Sequence, residues 1–143
     1  MLTMKLRKER GANMREKDAL MRVMERREML NNGQVHENNA LVADDFFAVF
    51  ALGNPGEFET YNAEQYRAGN LQAVELYRGK SPHWGYTDHN WGYRSDTEFV
   101  ISSSIDFSLN GELFMRAMVM EVYRRRDSEW LLVRQYMEKY KPT

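Results

Sequence analysis

Between Ser81 and Arg94 the chain interleaves His83, Asp88 and His89 with Trp84, Tyr86, Trp91 and Tyr93, its densest run of groups able to do chemistry. A histidine beside a carboxylate can act as a general base, because its ordinary pKa lies near neutral pH and the carboxylate orients the ring. His89 and Asp88 are therefore the candidate catalytic residues. On an extended strand residues 88 and 89 point to opposite faces, whereas His83 and His89 share one. A metal site built from the two histidines would need Asp88 to turn back, or a distant donor such as Glu121, so no metal is expected. Trp84, Tyr86, Trp91 and Tyr93 could line a pocket, stacking on a planar ligand while their N–H and O–H groups orient it. The plainer reading is a polar strand with ordinary hydrogen bonds, whose aromatics are strand formers and core fillers.

Other reactive patterns are missing. The sequence holds no phosphate-binding glycine loop, no nucleophile elbow and no zinc-binding His-Glu-x-x-His helix, and no cofactor is expected. Zero cysteines exclude disulfides and thiolate chemistry and fit a reducing, cytoplasmic setting. A net charge of −1 supplies no field to draw nucleic acid or anionic lipid, so neither is an expected partner. The run Arg124-Arg125-Arg126 reads as a solvated strand end that guards an edge from pairing. No apolar stretch approaches the roughly 20 residues of a membrane helix. Residues 1–12 read as a flexible basic lead-in with Lys5, Arg7, Lys8 and Arg10, not as a secretory signal, and 13–143 as one domain.

The elements that must position these groups follow from local signals. Asn13 with Glu16 makes a capping box for a helix that meets no proline or glycine until Asn31-Asn32-Gly33 stops it. Met14, Leu20, Met21, Val23, Met24 and Leu30 form its expected apolar face. A short helix over Val35–Val42, a buried strand over Phe46–Leu52, a turn at Asn54-Pro55-Gly56 and a returning strand Phe58–Tyr61 come next. Asn62 and Gln65 repeat the capping pair before a helix with Tyr66, Ala73, Val74 and Tyr77 on one face, ended by Gly79. Ser81–Arg94 is the first long strand, with a bend expected at Gly85 or Gly92. Thr97–Ser108 alternates Phe99, Ile101, Ser103, Ile105 and Phe107 against Glu98, Ser102, Ser104 and Asp106. Asn110-Gly111 turns it into Glu112–Arg125, and Asp127-Ser128 turns that into Trp130–Lys139. Helices gathered on one side of antiparallel strands give an α+β fold: a curved antiparallel sheet wrapped around the long N-terminal helix, a cone with a central cavity.

In order and spacing, the Asn-Gly after the first helix, Val42-Ala43-Asp44-Asp45, Gly53 and Gly56 before a helix, the Asn110-Gly111 hairpin and the closing Trp-Leu-Leu-Val-Arg-Gln-Tyr at 130–136 resemble the nuclear transport factor two-like superfamily. That superfamily includes SnoaL-like proteins, ketosteroid isomerase, scytalone dehydratase and the kinase association domain, and the resemblance implies a cystatin-like cone. Isomerase-type members use an aspartate base with a tyrosine and a protonated aspartic acid as oxyanion donors. Those positions fall here on Phe50, Arg26 and Ala117, so that arrangement is not expected to operate. The same count sends Ala117, Val119 and Glu121 into the cavity and Phe114, Arg116, Met118 and Met120 outward, with Trp130, Leu132, Arg134 and Tyr136 alternating on that outer surface. The resemblance thus implies a binding set of Arg26, Phe50, Trp84, Tyr86, Trp91, Tyr93, Glu121 and Gln135, in which Arg26, oriented by Glu121, meets an anionic group. Arg26 and Glu121 forming an internal ion pair, or Arg26 on the solvated helix face, is the competing reading.

The function implied is a SnoaL-like binder of a planar or anionic small molecule, with an isomerase, cyclase or dehydratase step through His89 or Asp88 where it is catalytic. The apolar outer sheet face implies a homodimer. The alternative is a protein–protein association module whose vestigial pocket is plugged by Met, Phe and Tyr side chains. A cavity below about 100 Å³ would favour the module, since ligand pockets begin near about 300 Å³.

Overall fold

The structure, a computed structural model, describes residues 13–140, with side chains from Ala19 onward. The lead-in expected over 1–12 and the side chains of the Asn13–Glu16 pair lie outside what is described. The elements run α1 (Asn13–Asn31), α2 (Val35–Ala40), β1 (Val42–Ala51), β2 (Phe58–Asn62), α3 (Ala63–Leu76), β3 (His83–Ser95), β4 (Glu98–Leu109), β5 (Glu112–Arg126) and β6 (Glu129–Tyr140).

Local chemistry sets the boundaries where it was expected to. At the end of α1, Gly33 takes φ +69°, and the chain reverses through Gln34 N–H to Met29 C=O at 2.9 Å and Gly33 N–H to Leu30 C=O at 3.4 Å. This pair of bonds satisfies carbonyls that the helix leaves open, and it favours glycine at the left-handed position. The capping box of α3 is formed on both sides, Gln65 N–H to Asn62 Oδ1 at 2.8 Å and Asn62 N–H to Gln65 Oε1 at 2.9 Å. Asn110 and Gly111 adopt φ 52° and 82°, Asp127 and Ser128 φ 49° and 68°, the two positive values that a tight two-residue hairpin needs.

All six strands join one sheet in the order β2-β1-β6-β5-β4-β3. The pairs are antiparallel except β1 with β6, which is parallel and corrects the expectation of a fully antiparallel sheet. The intervening α3 and long β3–β5 meander supply the crossover that a parallel pair requires. Helices α1 and α3 cover one face, so the fold is an α+β cone.

Bulges decide which side chains face the helices, and they correct several expectations. The bend in β3 lies not at Gly85 or Gly92 but at Asp88, φ +55°, where Asp88 and His89 together stand opposite the single Ser103. One extra residue shifts the alternation by one place. Trp84 and Tyr86 before the bulge and His89, Trp91 and Tyr93 after it therefore share the inner face, while His83 is exposed and no longer matches His89. A second bulge falls at Phe114, between the pairs Phe107–Met115 and Ser108–Leu113. It brings Phe114 to ring-centroid distances of 6.0 Å from Phe107 and 6.3 Å from Tyr77, rather than onto the outer surface with Met118 and Met120. A third, at Val133, turns Trp130 and Leu132 inward into the core with Tyr123, leaving Arg134 and Tyr136 outside.

The helix face is corrected as well. Met21 and Met24 are largely exposed, and the buried stripe of α1 is Ala19, Val23, Arg26 and Arg27. Two arginines sit inside because a carboxylate on β5 waits for them, a partner too far along the chain for helical periodicity to reveal.

Candidate functional site

The inner face divides into three zones. One apolar cluster packs Ala19 and Val23 of α1 on Phe46, Tyr66, Phe99, Tyr123, Trp130 and Leu132. A second, around Ile105, Phe107, Ala117 and Val119, carries Tyr77, Trp84, Tyr86, Met115 and Met137 at its edge. Between them lies a buried polar cluster centred on Glu121, 1% exposed.

Glu121 accepts from Arg26 Nη2, from Arg27 Nη2 at 3.0 Å, from Gln135 Nε2 at 2.9 Å and from the Tyr123 hydroxyl at 3.4 Å. Arg26 also donates through Nε to the Tyr123 oxygen at 2.8 Å and through Nη1 to Asn38 Oδ1 at 3.3 Å. Burial pushes the Glu121 carboxyl up, but the guanidiniums of Arg26 and Arg27 outweigh it, and its pKa lies below the ordinary value. Glu121 is ionised at neutral pH, and one carboxylate serves two guanidiniums. Arg27 stacks over the Tyr86 ring, 4.1 Å from its centroid, which disperses part of the surplus charge.

A cavity of about 350 Å³ opens against this cluster, between α1, α3 and the sheet. Its α3 wall is the stripe Tyr66, Gly69, Asn70, Ala73 and Tyr77, one helical face. Gly69 leaves open space, since a Cβ there would meet nothing within 4 Å. The sheet wall supplies Phe50, Ile105, Met115, Val119 and Met137, with Trp84 and Tyr86 from β3. Trp84 is held by Asn31 at the end of α1, whose side chain bonds both the Trp84 N–H at 2.7 Å and its C=O at 3.0 Å. β3 is an edge strand, and this amide stands in for a missing neighbour.

The polar end of the cavity is Arg26, Tyr66 and Gln135. Burial pushes the Tyr66 phenol up, past the opposing pull of Arg26, so it stays protonated. Glu59, Tyr61 and Lys139 are the other charged or hydroxylic side chains on the β2 side. Tyr61 donates to Glu59, and burial with that carboxylate pushes its pKa up to about 12. Among the described residues no group of three His, Cys, Asp or Glu side chains is placed to hold a metal ion.

By sequence, no family model and no curated protein matches the chain. By structure, a candidate dehydratase of the NTF2-like family from Streptomyces avermitilis superposes with a TM-score of 0.71 at 9% identity, covering 91% of this chain and 99% of that one. An NTF2-like protein of unknown function from Pseudomonas putida gives 0.70 at 10% identity, covering 86% of each chain. The protein Aln2 from a Streptomyces species gives 0.68 at 14% identity, covering 85% of this chain and 88% of that one. The chain has the NTF2-like cone fold.

Of the side chains expected to serve a site in this NTF2-like cone, Arg26, Phe50, Trp84, Tyr86 and Gln135 are on the cavity wall, and Glu121 lies behind it. Trp91 and Tyr93 pack instead against Phe99, with centroids at 5.6 and 5.1 Å. Asp88 and His89 sit on the β3 bulge, outside the cavity and exposed. His89 Nδ1 faces Ser103 Oγ at 2.8 Å and Arg27 Nη1 at 3.5 Å. Arginine can only donate, so this nitrogen is the acceptor and the proton belongs on Nε2. Burial and the Arg27 charge lower the His89 pKa against the weaker pull of Asp88. Sequence reasoning missed Tyr66 as a polar contact. The signal was present: Tyr66, Ala73 and Tyr77 share one face, with the small Gly69 between them.

Proposed function

We propose that this NTF2-like cone binds a compact, planar, mostly apolar organic molecule, its rings between Phe50, Trp84 and Tyr86 and its polar end on Arg26, Tyr66 and Gln135. The observation that carries this reading is the cavity of about 350 Å³, largely walled by aromatic and aliphatic side chains, with Arg26, Tyr66 and Gln135 beside the Glu121 cluster and Glu59, Tyr61 and Lys139 on the β2 side. That volume lies within the range of ligand pockets, which begins near about 300 Å³, and Met115, Met137 and Phe50 line the space without plugging it. The likeness to a candidate dehydratase supports a proton-transfer step on such a ligand, with Tyr66 as the group in reach of its oxygen. His89 and Asp88 are not part of this proposal, because they stand outside the cavity. The test is native mass spectrometry of freshly purified protein, followed by titration with planar aromatic probes read by Trp84 fluorescence against Trp84→Phe. A protein that carries nothing and binds no such probe at millimolar concentration refutes the reading.

The outer sheet face supports a second copy as partner. Phe47, Met120 and Tyr136 are 44%, 43% and 37% exposed there, beside the half-buried Met118 and Val122. The proposed homodimer would cover this face, and Met120→Lys with Tyr136→Lys converts it to monomer in the same mass spectra. A wild-type monomer at micromolar concentration refutes the dimer.

A further inference from the structure

Gln135 carries information about the ligand that cavity shape does not. It is 6% exposed, it lines the cavity, and its Oε1 is a buried oxygen with no hydrogen-bond partner. The amide cannot turn over to hide that oxygen. Nε2 donates to Glu121 Oε2 at 2.9 Å, and a carboxylate ionised by two guanidiniums accepts only from N–H. Glu121 therefore fixes which end of the amide meets the ligand.

Beside that acceptor stands a donor. Tyr66 lines the same cavity, and burial keeps its phenol protonated, so it brings an O–H to this end. Arg26 directs Nε to Tyr123, Nη1 to Asn38 and Nη2 to Glu121, so its charge is turned toward the cluster. The polar end thus offers an adjacent donor and acceptor, with a carboxylate directly behind the acceptor.

We infer that the ligand's polar group is a neutral hydroxyl, a phenol or enol O–H, which accepts from Tyr66 and donates to Gln135 Oε1. An ether or ketone has no hydrogen to give the Gln135 oxygen and forgoes the hydrogen bond that a hydroxyl supplies there. A carboxylate does worse, since its oxygens can only accept and would face Oε1, an acceptor as well. The sequence expectation of an anionic ligand on Arg26 is thereby narrowed to a hydroxylated one. This inference rests on the proposed cavity reading and is tested separately from it.

The experiment is calorimetric titration of the wild-type chain with three matched probes: 2-naphthol, 2-methoxynaphthalene and 2-naphthoate. The expected order is 2-naphthol tighter than 2-methoxynaphthalene by about ten-fold or more, the scale of one buried unpaired acceptor, with 2-naphthoate weakest. Gln135→Met keeps the volume and removes the acceptor, so the preference for 2-naphthol collapses to less than about three-fold while 2-methoxynaphthalene binding holds or tightens. Tyr66→Phe weakens 2-naphthol and 2-methoxynaphthalene alike. Equal binding of the first two probes by the wild type, or tightest binding of 2-naphthoate, overturns the hydroxyl assignment and leaves the cavity reading standing. Failure of all three to bind overturns both.

Discussion

Glu121→Gln tests the buried cluster that holds the cavity's polar end. Glu121, Arg26 and Arg27 are 1%, 1% and 3% exposed, and the carboxylate receives both guanidiniums, the Gln135 amide and the Tyr123 hydroxyl. Glutamine keeps the shape and one acceptor oxygen but removes the charge that two cations share. Breaking a buried ion pair from one side costs about 3–5 kcal/mol, because the surviving charge stays desolvated without compensation. With two surviving cations the upper part of that range applies, so about 4 kcal/mol should be lost from a domain total of about 5–15 kcal/mol. At an m-value of about 2 kcal/mol/M this moves the urea midpoint down by about 2 M, followed by tryptophan fluorescence and far-ultraviolet circular dichroism. Adding Arg27→Met removes the surplus cation and should recover roughly 1–2 kcal/mol, a coupling that independent sites would not show. A loss below about 1 kcal/mol, or no recovery in the double variant, refutes the claim that Glu121 neutralises this cluster.

The pH dependence supplies a sign. Despite burial, Arg26 and Arg27 hold the Glu121 pKa below its ordinary 4.5 in the folded chain. A depressed folded pKa gives stability that is full above the unfolded value and fades as pH falls through the folded one. The gap between wild type and Glu121→Gln should therefore be constant near neutrality and narrow below pH 4.5. A gap that widens on acidification contradicts the assignment.

Three further outcomes follow from particular contacts. Gly69→Ala should raise stability by about 1 kcal/mol in thermal melts, since the site is helical and a Cβ there meets nothing within 4 Å, whereas Gly69→Leu should extend into the cavity and weaken 2-naphthol about ten-fold by calorimetry. Asn62→Ala should cost about 1 kcal/mol in urea denaturation by removing one arm of the α3 capping box. His89 should titrate below 6.5 by nuclear magnetic resonance, through partial burial and the Arg27 charge, and Arg27→Gln should move it back up.

The parts of the fold legible in the sequence are those specified by neighbours along the chain. Asn31-Asn32-Gly33, Asn62 with Gln65, and Asn110-Gly111 each satisfy or constrain backbone groups within a few residues, and all three signals stand in the structure. The alternation of Phe99, Ile101, Ser103, Ile105 and Phe107 survives because β4 lies between two partners, and all five are buried. What escaped was whatever depends on a distant strand. The bulges at Asp88–His89, Phe114 and Val133 arise from register against β4, β5 and β6, and each reverses the face of its neighbours. The buried stripe of α1 was hidden for the same reason: Arg26 and Arg27 are charged by type but neutralised by Glu121, about a hundred residues away along the chain.

The structure also weighs against a vestigial pocket. A chain whose single task was to pair through its outer sheet face would gain about 1 kcal/mol from alanine at Gly69, and an apolar residue at 135 would remove the orphaned acceptor in exchange for the Gln135–Glu121 hydrogen bond. Neither substitution touches Phe47, Met120 or Tyr136, so neither would cost that face anything. Both features instead keep a hollow open and present a fixed hydrogen-bonding pattern within it. The two faces are also not independent. Met120 pairs with Tyr136 across β5 and β6, and the next pair in the same ladder is Glu121 with Gln135. One pair points to the proposed partner and the other to the polar cluster behind the cavity, separated by a single residue of backbone. Covering the outer face would therefore restrain the two strands that hold Gln135, so the proposed dimer would support the proposed ligand site rather than stand as a rival account of the protein.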